Sequence, residues 1–165
     1  MASSFAMSET YGTSGAPTTT DTTYVNCLST NTASGNDTTT NPNAAPITVP
    51  VSGNQASYER YIRGHWTGTF NSISSVLMWI QSWTPNTGCT LYGKDVGSQT
   101  YTTPTVPTVT TGFTVNTGWD TEGEALSLSY LTNYSDYVSM FLWVADTADA
   151  GTVNTWTLRT KWTET

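Results

Sequence analysis

Two dense runs of aromatic and aliphatic side chains interrupt an otherwise polar chain of 165 residues, GHWTGTFNSISSVLMWI (Gly64–Ile80) and NYSDYVSMFLWV (Asn133–Val144). Threonine, serine, asparagine and glycine dominate the rest of the sequence. Only 10% of the residues are charged, well below the roughly 25% of ordinary soluble domains. Because lysine and glutamate favour helices and threonine favours strands, the composition predicts an all-β fold whose core comes from these two runs.

Alternation of apolar and polar residues predicts individual strands from Pro46 onwards. In SYERYIRGHWTGTF one face carries the large side chains Tyr58, Ile62, Trp66 and Phe70, and the other carries Glu59, Arg63, His65 and Thr67. In the last predicted strand, one face carries Trp156, Leu158, Thr160 and Trp162. The segment PITVPVSG (Pro46–Gly53) is expected to be a short strand at an edge or a corner, because proline cannot donate to a central ladder.

About eight such strands, roughly ten residues apart and separated by turn signals, predict a β-sandwich with a jelly-roll-like arrangement. The two rich runs are expected to be central strands of opposing sheets. No segment of the sequence predicts a convincing helix, and no internal repeat is present.

Residues 1–45 differ from the rest because they contain no lysine or arginine and few apolar groups. Such a segment cannot bury enough surface by itself to offset the entropy lost on ordering. It is either a flexible linker or, as we expect, an extended arm that lies across another surface, with YVNCL as its one strand-like segment. The domain organisation predicted is therefore an arm, 1–45, and a sandwich, 46–165, that would stay folded without the arm.

The charge balance argues against two classes of partner. The formal net charge is -7 and the pI is about 4.2, so the surface repels the phosphates of nucleic acids and lacks a basic patch for anionic lipid. The beginning, MASSFAMSETYG, has neither the basic region nor the long apolar region of a secretory signal, and no stretch is long enough to span a membrane. We expect synthesis in the cytoplasm of the host cell, with no nucleic-acid or membrane partner.

Side chains for catalysis or metal binding are scarce. His65 is the only histidine, and alternation directs it away from the Trp66 face, so we expect no catalytic residues, no enzymatic activity and no cofactor. The acidic group Asp120, Glu122 and Glu124 could ligate Ca²⁺ through oxygen, although a solvated turn is the simpler interpretation. Cys27 and Cys89 are expected to be free thiols, with a bridge between them as the alternative.

Seven tryptophans are many for this length. Trp83 and Trp119 stand beside predicted turns and are expected to be the most exposed. They could stack on a sugar or be buried in a subunit interface, where tryptophan and tyrosine are enriched, and the interface is the favoured interpretation. The candidate interface set joins them to the larger side chains of the arm, namely Phe5, Tyr11, Tyr24, Val25 and Leu28.

The stretch from Tyr58 to Trp162 resembles a group of tailed-bacteriophage structural proteins. The similar elements are a strand ending in Trp66-Thr67-Gly68-Thr69-Phe70, the segment Ser72–Trp79 (SISSVLMW), a Thr/Pro-rich middle, and Tyr134-Ser135-Asp136-Tyr137 leading to Leu142. The chain departs from the pattern at Trp66, where phenylalanine is expected, and at its end, KWTET, where an aromatic-acidic signature is expected.

The resemblance implies a virion component without enzymatic activity, most plausibly a capsid decoration (cement) protein. Such a protein would bind the major capsid protein on the outside of the mature head, and a homotrimer near local symmetry axes is favoured. The alternatives are a carbohydrate- or receptor-binding β-sandwich domain of a phage tail or a secreted protein, and a small tail or head-completion protein of the same particle.

Overall fold

The computed structural model describes residues 3–34, 45–81, 83–151 and 154–165. Within these ranges the chain forms two antiparallel sheets, and its only helical elements are the 3-10 turns Asn116–Gly118 and Glu122–Glu124. The strands are β1 (Ser3–Thr13), β2 (Ala16–Thr22), β3 (Asn54–Ala56), β4 (Arg60–Gly68), β5 (Ile73–Gln81), β6 (Cys89–Asp95), β7 (Thr114–Val115), β8 (Leu126–Leu128), β9 (Tyr130–Leu131), β10 (Tyr134–Ser135), β11 (Val138–Ala145) and β12 (Thr157–Glu164). The predicted all-β class is confirmed.

The larger sheet has nine strands in the order β2-β1-β4-β11-β6-β7, with β3 paired to β11, and with β10 paired to β4 and β9. The smaller sheet has three strands in the order β12-β5-β8. The two rich runs meet the expectation of central strands in opposing sheets, because β11 lies inside the large sheet and β5 is the middle of the small one. The first run also contains the end of β4, so its Gly68–Ile73 connection crosses from one sheet to the other.

The core lies between the sheets and follows the predicted alternation. Ile62 and Trp66 of β4 are fully buried, as expected, and Trp162 of β12 packs against this cluster. Residues from β5 and β11 complete it: Ile73, Val76, Met78, Ile80, Val138, Met140, Leu142 and Val144.

The other face of β11 is covered as well. The fully buried ring of Phe141 stacks on Tyr92 at 5.3 Å between centroids and meets Phe113 edge-on at 4.8 Å. Phe113 follows the long Thr/Pro-rich connection between β6 and β7, which therefore shields the outer face of the strand. This double cover explains why the end of the second run, Met140–Val144, is apolar at every position rather than alternating.

The beginning of the chain is not an appended arm, contrary to our expectation. β1 lies between β2 and β4 and pairs with both, and its residues Ser8, Glu9 and Thr10 are buried. These polar groups are buried because each has a partner, such as the hydroxyl of Tyr137, which lies 3.0 Å from that of Thr10. A segment poor in apolar residues thus orders through hydrogen bonds inside the sheet.

Two local predictions are also wrong. YVNCL (24–28) has no regular structure, and its place as the strand-like segment is taken by β1 and β2. Pro46–Gly53 is not a strand either; the short strand β3 begins only after it, at Asn54. Prolines 46 and 50 remove two backbone donors from this stretch, which explains why the ladder starts beyond them. Residues 35–44 of the predicted arm lie outside the described residues.

Candidate binding groove

The two sheets part near the beginning of β12, and a groove of about 1340 Å³ opens between them. Its floor is the core-facing side of the large sheet, including Phe5 and Met7 of β1 and Leu142 and Val144 of β11. Leu158 of β12 contributes the small sheet's side. These side chains belong to the core or pack against it. Leu142 and Val144 are almost fully buried, and the half-buried Phe5, Met7 and Leu158 supply the apolar surface that the groove exposes.

One wall of the groove consists of two irregular segments, residues 23–28 and 46–49, together with Thr22 at the end of β2. Backbone hydrogen bonds hold them in place: the amide of Tyr58, between β3 and β4, donates to the carbonyl of Leu28 at 3.0 Å, and the amide of Ser29 donates to the carbonyl of Ala45 at 2.9 Å. The amide of Asn26 donates to the hydroxyl of Ser34 at 3.0 Å. Hydrogen bonds therefore hold this wall in place although its irregular segments do not pair with a strand.

The opposite wall is the segment that leads into β12, and Trp83 supports it from behind. The indole N–H of Trp83 donates to the carbonyl of Asn154 at 3.1 Å, and its ring meets Trp156 edge-on at 5.9 Å. The side chain of Asn154 donates to the carbonyl of Thr84 at 2.9 Å. These contacts place Trp156 on the groove.

The groove ends where the sheets come together. Phe5 of β1 stacks on Trp162 of β12 with 4.7 Å between ring centroids. The hydroxyl of Ser3 donates to the carboxylate of Glu164, and the amide of Ser3 donates to the same carboxylate at 3.0 Å. Only the beginning of β12 is therefore open to the groove.

The charged residues that line the groove are acidic. Asp21 and Asp149 are exposed at its border, and among the described residues no lysine or arginine contributes to its lining. Partial burial favours the neutral acid of Asp21, but hydrogen bonds from Ser8 and His65 and the charge of His65 outweigh it and hold the pKa of Asp21 below its ordinary value. Asp21 is thus a carboxylate at neutral pH, and the border is negative.

Both cysteines line the groove and both are free thiols, as predicted. Burial raises the pKa of Cys27 to about 11, against the smaller opposite effect of the Arg60 charge. Burial raises the pKa of Cys89 too. The thiolate is the nucleophilic form, so at neutral pH these groups act as small apolar surfaces rather than as reactive sites.

The structure brings part of the candidate interface set together. Phe5, Tyr24, Val25 and Leu28 all line the groove. Tyr11 is half-buried on β1 opposite Thr18, away from the groove.

The two tryptophans of the set behave differently. Trp83 is half-buried behind the wall and acts through Asn154 and Trp156. The expectation that Trp119 is exposed is wrong, because it is 0% exposed. The 3-10 turn before it directs the indole onto Gly93, where an added β-carbon would lie 2.3 Å from the ring. A glycine in the middle of β6 was the one sequence signal for this contact, since strand glycines often mark close approach.

The acidic group of the sequence does not converge. The carboxylate of Glu122 accepts from Lys161 across the surface, and Glu124 accepts from the hydroxyl of Thr121 at 3.1 Å. Asp120 is exposed. In the described ranges no group of three histidine, cysteine or acidic side chains is arranged to hold a metal ion, so the structure gives the Ca²⁺ hypothesis no support.

His65 lies against a carboxylate and near a serine, yet the geometry differs from that of a catalytic triad. Its Nδ1 is 3.0 Å from Asp21, but the hydroxyl of Ser8 donates to that same carboxylate. A nucleophilic serine would have to reach the other ring nitrogen, Nε2. The imidazole stacks on Tyr134 at 4.4 Å. The arrangement therefore ties β2 to β4 across β1.

Comparisons with known proteins return nothing: no family matches the chain, and neither a curated protein nor a solved structure matches it. The resemblance to bacteriophage proteins stays a prediction. Within the described part of the chain, no helix is long and apolar enough to cross a membrane.

Proposed function

We propose that this protein is a capsid decoration protein, which binds the outside of the major capsid shell and stabilises the mature head. The observation that carries the proposal is the groove between the sheets, because it gathers apolar side chains of both sheets and four predicted interface residues on one open surface. Neighbouring ionisable groups are engaged within the fold, as Asp21 is with His65 and Ser8. The site supports binding better than chemistry.

The proposed function rests on binding energy, which the same interface supplies at every repeated site on the shell. An interface of about 1,600 Å² suffices for stable attachment, and repetition at symmetric positions adds avidity. A ligand that binds only the mature shell stabilises that shell by mass action. The surface rich in threonine and poor in lysine loses little side-chain entropy on docking. A homotrimer on the local symmetry axes of the shell is the assembly that we propose.

The test is the copy number of the protein relative to the major capsid protein in purified virus particles, measured by quantitative mass spectrometry. We expect about one copy per capsid subunit, since decoration follows the lattice of the shell. A few copies per particle would assign the protein to the tail or the portal. Its absence from particles would overturn the virion proposal.

A second candidate, a carbohydrate- or receptor-binding domain, is favoured by one observation. Trp156 is half-buried on the groove wall and presents an aromatic surface beside polar residues, including Asn154 and Thr155. Sugars stack on such surfaces. A glycan titration followed by tryptophan fluorescence, repeated with Trp156→Ala, distinguishes the two: a saturable change that the variant loses favours sugar binding.

A further inference from the structure

We propose that the groove binds one extended polypeptide segment of a different protein, apolar on the side that faces the groove and carrying lysine or arginine at the end that meets Asp21 and Asp149. This inference rests on the proposed function in one respect: on a virus particle the segment would belong to a capsid protein. The chemistry of recognition itself follows from the groove.

The size of the groove favours a polypeptide over a small molecule. Sites for small ligands are commonly about 300–1,000 Å³, and this groove is larger, at about 1340 Å³. Its floor carries apolar side chains from two strands of the large sheet, Met7 from β1 and Leu142 and Val144 from β11. In strand addition, apolar pockets beside a sheet edge accept alternate side chains of an extended segment.

The edge of the small sheet gives the segment a backbone partner. β12 is the outer strand of the order β12-β5-β8, and in the described residues it pairs with β5 alone. Its first residues, Thr157 and Leu158, line the groove. An outer strand presents unpaired amide and carbonyl groups that a further strand can use. A segment in the groove would therefore extend the small sheet by one strand along the start of β12.

The charges at the border select the occupant. Asp149 and Asp21 line the groove, and Asp21 is already 3.0 Å from Nδ1 of His65, so Asp149 is the carboxylate more open to a partner. A segment with a lysine or arginine near its end gains from these carboxylates, and an acidic segment is repelled. Because both carboxylates are exposed, the electrostatic contribution is moderate and is screened by salt.

A second copy of this chain is a poor occupant for the same reason. The chain has only five lysine and arginine residues against twelve acids. Arg60 is buried on Glu9, and Arg63 lies 3.7 Å over the ring of Tyr134. The others also have internal partners: Lys94 with Phe113, Arg159 with Gln81, and Lys161 with Glu122. A second copy therefore has few basic side chains to place beside the carboxylates of this groove.

The test uses the full-length protein and a displayed library of random peptides of about twelve residues, a length that suits strand addition. We expect selected peptides to alternate apolar and polar residues and to carry lysine or arginine near one end. Calorimetry of a selected peptide should give a negative heat-capacity change, the mark of apolar burial. A selection without this pattern, or without any binder, overturns the proposal.

A charge swap makes the test specific to the groove. For Asp149→Lys, the basic peptide should bind about 5-fold to 10-fold more weakly than to the natural protein, and the same peptide with glutamate in place of lysine should bind better by a similar factor. Asp120→Lys is the matched control: it makes the same charge change at an exposed position outside the groove. Equal effects of the two substitutions would overturn the assignment to the groove.

Other occupants have their own signatures. Self-association in sedimentation that a selected peptide reverses would assign the groove to a second copy. Tighter peptide binding after deletion of residues 35–44 would assign it to the chain's own segment. Either result overturns the proposal. Peptide binding by a protein that is absent from virus particles would keep this inference and overturn the proposed function. If Asp149→Lys leaves decoration of the capsid unaffected and the library gives no peptide binder, the proposed function is kept and this inference is overturned.

Discussion

At the scale of single residues, two fully buried tryptophans lie on glycines. Trp66 covers Gly64 on β4, and Trp119 covers Gly93 on β6. An added β-carbon at position 64 would lie 2.4 Å from Trp66, closer than real contacts allow. The glycines therefore provide the flat surfaces on which these large rings pack, and the tryptophans supply core volume that a threonine-rich chain otherwise lacks.

The Trp119–Gly93 contact predicts a large effect of one methyl group. Gly93→Ala places a β-carbon 2.3 Å from Cζ2 of Trp119, so we expect the free energy of unfolding to fall by about 1–3 kcal/mol, as for other overpacked cores. Gly15→Ala is the control, because a β-carbon there meets nothing within 4 Å. Urea denaturation followed by fluorescence measures both; equal stability of the two variants would contradict this packing.

At the scale of elements, β1 holds the first part of the chain through a buried ion pair. The carboxylate of Glu9 accepts from Arg60 at 3.4 Å and from the amide of Ser34 at 2.9 Å. Burial lowers the pKa of Arg60, and the Glu9 charge opposes that effect. The guanidinium also donates to the carbonyl of Thr30 at 3.1 Å. One network thus joins β1, β4 and the loop after β2.

Neutralising Glu9 tests this network. Glu9→Gln leaves the charge of Arg60 buried without its carboxylate, and breaking a buried pair in this way costs about 3–5 kcal/mol. The matched control is Glu124→Gln at an exposed position, which we expect to stay within about 0.5 kcal/mol. Adding Arg60→Met to Glu9→Gln should recover part of the loss. Thermal unfolding decides: a Glu9→Gln protein as stable as the control would show that β1 is attached by other contacts.

The same elements show how far the sequence could predict the fold. Alternation located β4 and the core face of β12, because apolar side chains at every second position mark a half-buried strand. It missed β1, since burial of Glu9 depends on Arg60, which is 51 positions away along the chain. Alternation likewise could not predict that Glu59, on the face opposite Trp66, is buried, because its carboxylate accepts from the distant Ser139 at 3.0 Å.

The groove was only half predictable for the same physical reason. Large side chains in a polar segment predicted Phe5, Tyr24, Val25 and Leu28 as interface candidates, and these four residues line the groove. Their convergence with Trp156 depends on how the two sheets part, and no local pattern in the sequence carries that information.

At the scale of the whole molecule, burial favours the neutral forms of a thiol and a phenol. Besides raising the pKa of Cys27 to about 11, burial raises the pKa of Tyr101 to about 12. The phenol of Tyr101 donates to the carbonyl of Gly12 at 2.7 Å and thereby holds the connection between β6 and β7 against the hairpin of β1 and β2. The fold is therefore linked to the protonation of these groups.

This linkage predicts that the fold weakens in alkali. The unfolded chain loses the protons of Cys27 and Tyr101 near their ordinary values, about pH 8.5 and about pH 10, whereas the folded chain keeps them to higher pH. Between the unfolded and the folded pKa of each group, the unfolded state binds fewer protons than the folded state. The contribution of that group to stability is therefore complete below its unfolded pKa and is lost as pH rises through its folded pKa. The melting temperature should fall steadily from about pH 9 to about pH 12.

Cys27→Ala removes one of the two groups, so the melting temperature of this variant should fall less steeply over the lower part of that range. Identical pH profiles for the variant and the natural protein would mean that the Cys27 thiol titrates alike in the folded and unfolded chains.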